Sequence, residues 1–89
     1  GVQNTAIGGQ ALNSNLSASN NTAIGYNSLG ANTTGNSNTA VGGNALDANT
    51  TGAGVTALGF DALGANTTAF YSTGIGYQAL LLNTSGTKL

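Results

Sequence analysis

The chain contains no cysteine, histidine, methionine, proline or tryptophan, and no glutamate or arginine. Its 89 residues carry one cation, Lys88, and two anions, Asp47 and Asp61, whereas ordinary domains are about 25% charged. Without a basic patch there is nothing to neutralise phosphates, so nucleic-acid partners are not expected. No polybasic or amphipathic segment is present to hold an anionic membrane. The longest run of non-glycine apolar residues, Ala79 to Leu82, is far short of the roughly 20 residues a spanning helix needs, so membrane insertion is not expected either. The lack of cysteine and histidine excludes zinc, iron–sulfur and thiol chemistry from this chain alone, and no cofactor is implied.

What is present is a repeat. Asn4, Asn21, Asn38, Val55 and Ser72 open five units of 17 residues, at 4–20, 21–37, 38–54, 55–71 and 72–88. Such a period governs the fold reading, because each repeat is one structural unit stacked on the next. The chain reads as one segment, 1–89. Gly1 falls at the fifteenth position of a preceding unit and Leu89 opens a sixth, so a fragment of a longer repetitive protein is expected. Abundant Gly, Asn, Ser and Thr could suit a disordered linker, but apolar residues returning at fixed positions argue for order.

The columns carry the information. Position 2 is always Thr (Thr5, Thr22, Thr39, Thr56, Thr73) and position 4 is always branched aliphatic (Ile7, Ile24, Val41, Leu58, Ile75). Position 5 is always Gly (Gly8, Gly25, Gly42, Gly59, Gly76), position 9 always Leu (Leu12, Leu29, Leu46, Leu63, Leu80) and position 12 always Asn (Asn15, Asn32, Asn49, Asn66, Asn83). Thr-Ala-Ile alternates as a strand does, with Thr and Ile sharing one face. We expect the Ile/Val and Leu columns to form two inward ladders, with the alanine column facing a partner chain. The invariant glycines are expected to turn a corner, positions 6–9 to form a second face, and Asn-Thr-Thr-Gly to form a return corner or short third strand. A helix is excluded: apolar residues do not recur at three-and-four spacing, and each interior glycine costs about 1 kcal/mol. The expected fold is an all-β parallel β-solenoid with one coil per 17-residue repeat. Coils about 4.8 Å apart give a stack of roughly 24 Å. So thin a core leads us to expect further coils, end caps or partner chains.

The string Asn-Thr-Ala-Ile-Gly followed three positions later by a small residue (Asn21–Gly25 with Ser28; Asn38–Gly42 with Ala45) resembles the head repeats of trimeric autotransporter adhesins. The longer Asn-Thr-Ala-Ile/Val-Gly-Tyr-x-Ala-Leu-x-x-Asn-Thr-Thr-Gly form is similar to repeats of phage tail fibres and related surface fibres. The resemblance covers all five units. It implies a homotrimeric, extracellular fibre segment at a cell surface or on a virion, serving structure and adhesion, although this unit is longer than the adhesin repeat.

Catalysis is not expected. Asp47 and Asp61 occupy different columns and read as solvated corner residues rather than an acid–base pair. Gly74-Ile75-Gly76 and Gly52-Ala53-Gly54 lack the following helix of a dinucleotide loop. Each position-12 Asn begins an Asn-x-Ser/Thr acceptor for glycosylation, but a ladder of stacked amides is the favoured reading of the column. The position-2 threonines, with Thr33, Thr50, Thr67 and Thr84 as a second row, raise an ice-binding alternative, but the first row shares a face with the aliphatics expected to point inward and is expected to lie at least half buried, which argues against it. Position 6 alternates Gly9, Tyr26, Gly43, Phe60, Tyr77, and Tyr26, Phe60 and Tyr77 are a candidate strip for a glycan or receptor. A filament of chains joined end to end is a further alternative.

Overall fold

The structure is a computed structural model that describes residues 1–81 and residue 84. Five strands, β1 (Thr5–Ile7), β2 (Thr22–Ile24), β3 (Thr39–Val41), β4 (Thr56–Leu58) and β5 (Thr73–Ile75), form one sheet in sequence order. Every neighbouring pair is parallel and in register, so Thr5 faces Thr22, Thr22 faces Thr39, and so on up the stack. The result is a parallel β-solenoid with one coil per 17 residues and extents of 27 × 21 × 15 Å.

Each coil has one three-residue strand, and the rest of its circuit is turns. The second face expected at positions 6–9 is instead a ribbon of overlapping turns. In the first coil the N–H groups of Ala11, Asn13 and Asn15 donate to Gly8, Gln10 and Leu12 at 3.2–3.3 Å. The third residue of the first two of these turns, Gln10 and Leu12, has φ of 61° and 53°, as type II turns require. The pattern recurs, and the Leu column keeps φ at 51–53° in every coil. A left-handed leucine is uncommon; here the turn aims the side chain into the coil.

The ribbon is stitched along the stack as firmly as the sheet. Leu29 N–H donates to Ala45 O at 3.0 Å and Leu46 N–H to Ala62 O at 3.1 Å, while Asn44 N–H donates the other way, to Tyr26 O, at 2.9 Å. At the strand's end the glycine column is required on two counts. Gly25, for example, has φ +126°, and a Cβ there would lie 2.7 Å from the Gly42 backbone of the next coil.

The core differs from the expected one. Ala23, Ala40 and Ala57 are fully buried together with Leu29, Leu46 and Leu63. The aliphatics at position 4 lie on the outer face: Ile7 is 59% and Ile75 64% exposed, Leu58 is exposed, and Ile24 and Val41 are half buried. The expectation that Ile7, Ile24, Val41, Leu58 and Ile75 form a core ladder is therefore corrected, and with it the placing of alanines against a partner. The physical reason is the width of the coil. Gly74 occupies the alanine column in the fifth coil, and a Cβ there would meet Leu63 Cγ at 3.0 Å. With leucine on the opposite wall, the strand has room for a methyl group at most. Leu12 and Leu80 close the two ends of the leucine column; Leu12 is half buried and Leu80 is exposed.

Two asparagine columns fill one corner. At position 12, Asn49 Nδ2 donates to Asn32 Oδ1 and Asn66 Nδ2 to Asn49 Oδ1, both at 2.9 Å, and Asn32 Nδ2 reaches Asn15 Oδ1 at 3.4 Å. Asn83 lies outside the described residues. At position 1, Asn4, Asn21 and Asn38 each accept the backbone N–H at the start of the next coil, at 2.8–3.0 Å. The two columns meet on one carbonyl: Asn21 Nδ2 and Asn32 Nδ2 both donate to Gly35 O, and Asn38 Nδ2 and Asn49 Nδ2 both donate to Gly52 O. Each coil is thus pinned shut on itself and tied to its neighbour. Asn32, Asn49 and Asn66 are fully buried, which removes them as glycosylation acceptors.

Candidate functional site

The outward face of β1–β5 is a surface of two parallel rows. Threonines form one row and Ile7, Ile24, Val41, Leu58 and Ile75 the other. Within a strand the two rows are about 6.6 Å apart, and along each row the side chains repeat at about 4.8 Å. The threonines are half buried or exposed (Thr5, Thr39 and Thr73 exposed; Thr22 and Thr56 half buried). Among the described residues none of their hydroxyls has a hydrogen-bond partner, and the intervening Ala or Gly points the opposite way. The expectation that this row shares an inward face is therefore corrected along with the aliphatics.

The second threonine row behaves differently. Thr33, Thr50 and Thr67 donate their hydroxyls along the stack to Thr50 O, Thr67 O and Thr84 O at 3.2–3.4 Å. Those hydroxyls are engaged in joining coils, so this row, unlike the strand row, is not a free array.

Around the glycine corner, position 6 places aromatic rings on the surface. Tyr26 and Tyr77 are 60% and 73% exposed, and Phe60 is also exposed. Phe60 and Tyr77, one coil apart, stack with centroids 5.5 Å apart and planes 18° apart. Phe70 and Tyr71 form a second, edge-to-face pair at 5.9 Å on another corner. The chain therefore groups Phe60 with Tyr77 and leaves Tyr26 separate from them.

Asp47 and Asp61 are both half buried at the surface. Partial burial pushes the Asp47 carboxyl above its ordinary range, and the nearby Asp61 charge adds to the rise. Among the described residues there is no group of three His, Cys, Asp or Glu side chains that could hold a metal. No helix there is long and apolar enough to cross a membrane, and the described surface has no closed pocket. What the site offers is a flat repeating face and exposed rings.

The outward orientation of the Thr/aliphatic face escaped the sequence reading, as did the position-1 asparagine ladder, although Asn4, Asn21 and Asn38 recur at the required spacing. Comparison with protein-family models, with curated proteins and with solved structures found no match.

Proposed function

We propose that the chain is a non-catalytic β-solenoid binding module whose working surface is the outer face of β1–β5. The carrying observation is the row of five unpartnered threonine hydroxyls beside a row of aliphatic side chains on one exposed sheet. A flat, rigid lattice of this kind matches a partner that is itself flat and periodic. Ordered water at an ice surface has both properties: hydroxyls can join its hydrogen-bond network, while methyl groups favour water arranged around them. The turn ribbon behind the sheet holds the rows in place before any partner arrives, which limits the entropy lost on binding. Thermal hysteresis of the dissolved chain tests this reading. Freezing-point depression in the unaltered chain, abolished by Thr39→Lys at the centre of the face with the fold retained, is the expected result. Its absence in the unaltered chain sinks the reading.

A second reading has its own observation. Ile7, Leu58 and Ile75 are more apolar and more exposed than contact with water alone requires. Copies of the chain covering this face with one another would bury that row, giving a structural or adhesive fibre segment of the kind the repeat resembles, extracellular on a cell surface or virion. Sedimentation equilibrium separates the two: a trimer dispersed by Val41→Lys supports the fibre, and a monomer with thermal hysteresis supports the ice-facing module.

A further inference from the structure

We propose that the gap between Tyr26 and Phe60 is a binding notch for one pyranose ring of a neutral oligosaccharide. The site lies on the aromatic column, apart from the Thr/aliphatic face, so it stands whether or not that face binds ice.

The notch follows from the order Gly9, Tyr26, Gly43, Phe60, Tyr77 on successive coils. Phe60 and Tyr77 show what an uninterrupted column does: the rings stack with their centroids 5.5 Å apart. Between Tyr26 and Phe60 the sequence skips one ring, because the intervening coil has Gly43. The two rings are two coils apart, about 9.6 Å. Each leans over the glycine of the coil before it: a Cβ on Gly9 would lie 3.4 Å from Tyr26 Cδ2, and one on Gly43 3.4 Å from Phe60 Cδ2. Because both rings lean the same way, the space between them stays one ring wide. It has aromatic walls, a floor at Gly43 and an open outer edge.

The rim selects the occupant. One residue beyond the floor, Asn44 Oδ1 accepts from Asn27 Nδ2 at 3.3 Å. The Asn44 amide hydrogens have no partner within the described residues and can donate to a ligand hydroxyl. The carboxylate of Asp61, the residue after Phe60, lies beside the notch, and no lysine or arginine lies among the described residues, so no basic side chain is at hand for an anionic sugar. A ring with apolar C–H faces and a hydroxylated edge satisfies both parts: its faces meet the two aromatic rings, and its edge meets Asn44 and water. A purely apolar ring would gain the stacking and leave the amide unused.

Saturation-transfer NMR with cello-oligosaccharide and malto-oligosaccharide, each added separately to the full chain, tests the assignment. Transfer from aromatic protons to sugar ring C–H protons is expected with at least one of the two. Gly43→Tyr, which supplies the missing ring, should weaken binding about tenfold. Tyr26→Ala and Phe60→Ala, both at exposed positions that fold independently of the notch, should do the same, and Tyr71→Ala on the distant corner should leave it unchanged. Absence of transfer with both sugars overturns the proposal. So does transfer that persists at full strength in Gly43→Tyr and Tyr26→Ala, or indole binding in the notch while both sugars fail.

Discussion

The asparagines at position 12 and the threonines at position 2 recur with the same period and are both polar, yet they end on opposite sides of the coil wall. Asn32, Asn49 and Asn66 are sealed inside, each bonded to the next. The strand threonines stand outside with their hydroxyls unspent. The difference follows from chemistry. An amide carries both an acceptor oxygen and two donor hydrogens, so a column of amides can bond to itself indefinitely and still reach a backbone carbonyl. A strand threonine, with its backbone already in the ladder, has one short hydroxyl and nothing beside it to accept. Periodicity announces a ladder; the bonding capacity of the side chain shows whether it holds the protein together or is left for a partner.

That contrast can be broken most severely from the inside. Asn49→Leu removes the acceptor of Asn66 and the donor to Asn32 while keeping similar bulk. Leaving buried polar atoms unpaired should cost about 3 kcal/mol in urea unfolding, whereas Thr39→Val on the outside should shift stability by less than about 0.5 kcal/mol. Equal costs would mean that the two ladders do not differ in the way described.

A second comparison sharpens it within one strand. Ala40→Val pushes two methyl groups toward the leucine wall and should destabilise by about 2 kcal/mol. Val41→Thr, one residue along and on the outer face, should leave the urea midpoint nearly unchanged. A mild Ala40→Val would show that the coil can widen.

The smallest expected effect comes from Asp47. Its carboxyl is raised above the ordinary value of 3.8, first by burial and then by Asp61, so the native state holds the proton more tightly than the unfolded chain. Stability should therefore fall as pH rises from the ordinary value through the raised one, and be flat with respect to this group above that window. Asp47→Asn should remove that part of the slope, measured as urea midpoints from acid to neutral pH. A slope unchanged in Asp47→Asn would place its origin elsewhere.

Much of the architecture was legible in the sequence. The period, the parallel stacking and the size of the coil all follow from columns that repeat without a gap. Which side of Thr-Ala-Ile faces inward does not follow. Alternation assigns residues to two faces but leaves the faces interchangeable, and a slip of one exchanges them. The deciding quantity was the clearance between the strand and the opposite wall, set by leucines six residues after the alanine of each coil, in the turn ribbon. One clue was available: position 9 is leucine in every coil and never Ile or Val, although position 4 takes β-branched residues freely. A left-handed backbone at position 9 disfavours β-branching most strongly. The two free surfaces were harder to read, because a threonine row or an aromatic column looks the same in sequence whether it is covered or bare.

The coil-to-coil hydrogen bonds run around the whole perimeter, through strand, turn ribbon and asparagine corner alike. Tension along the stacking axis is therefore shared by every bond in a layer at once, and a layer yields only when all of them fail together. A sideways pull at one corner loads them in succession and peels the chain off one coil at a time. The same molecule is thus strong as a cable and weak as a zipper, and the direction of pull decides which.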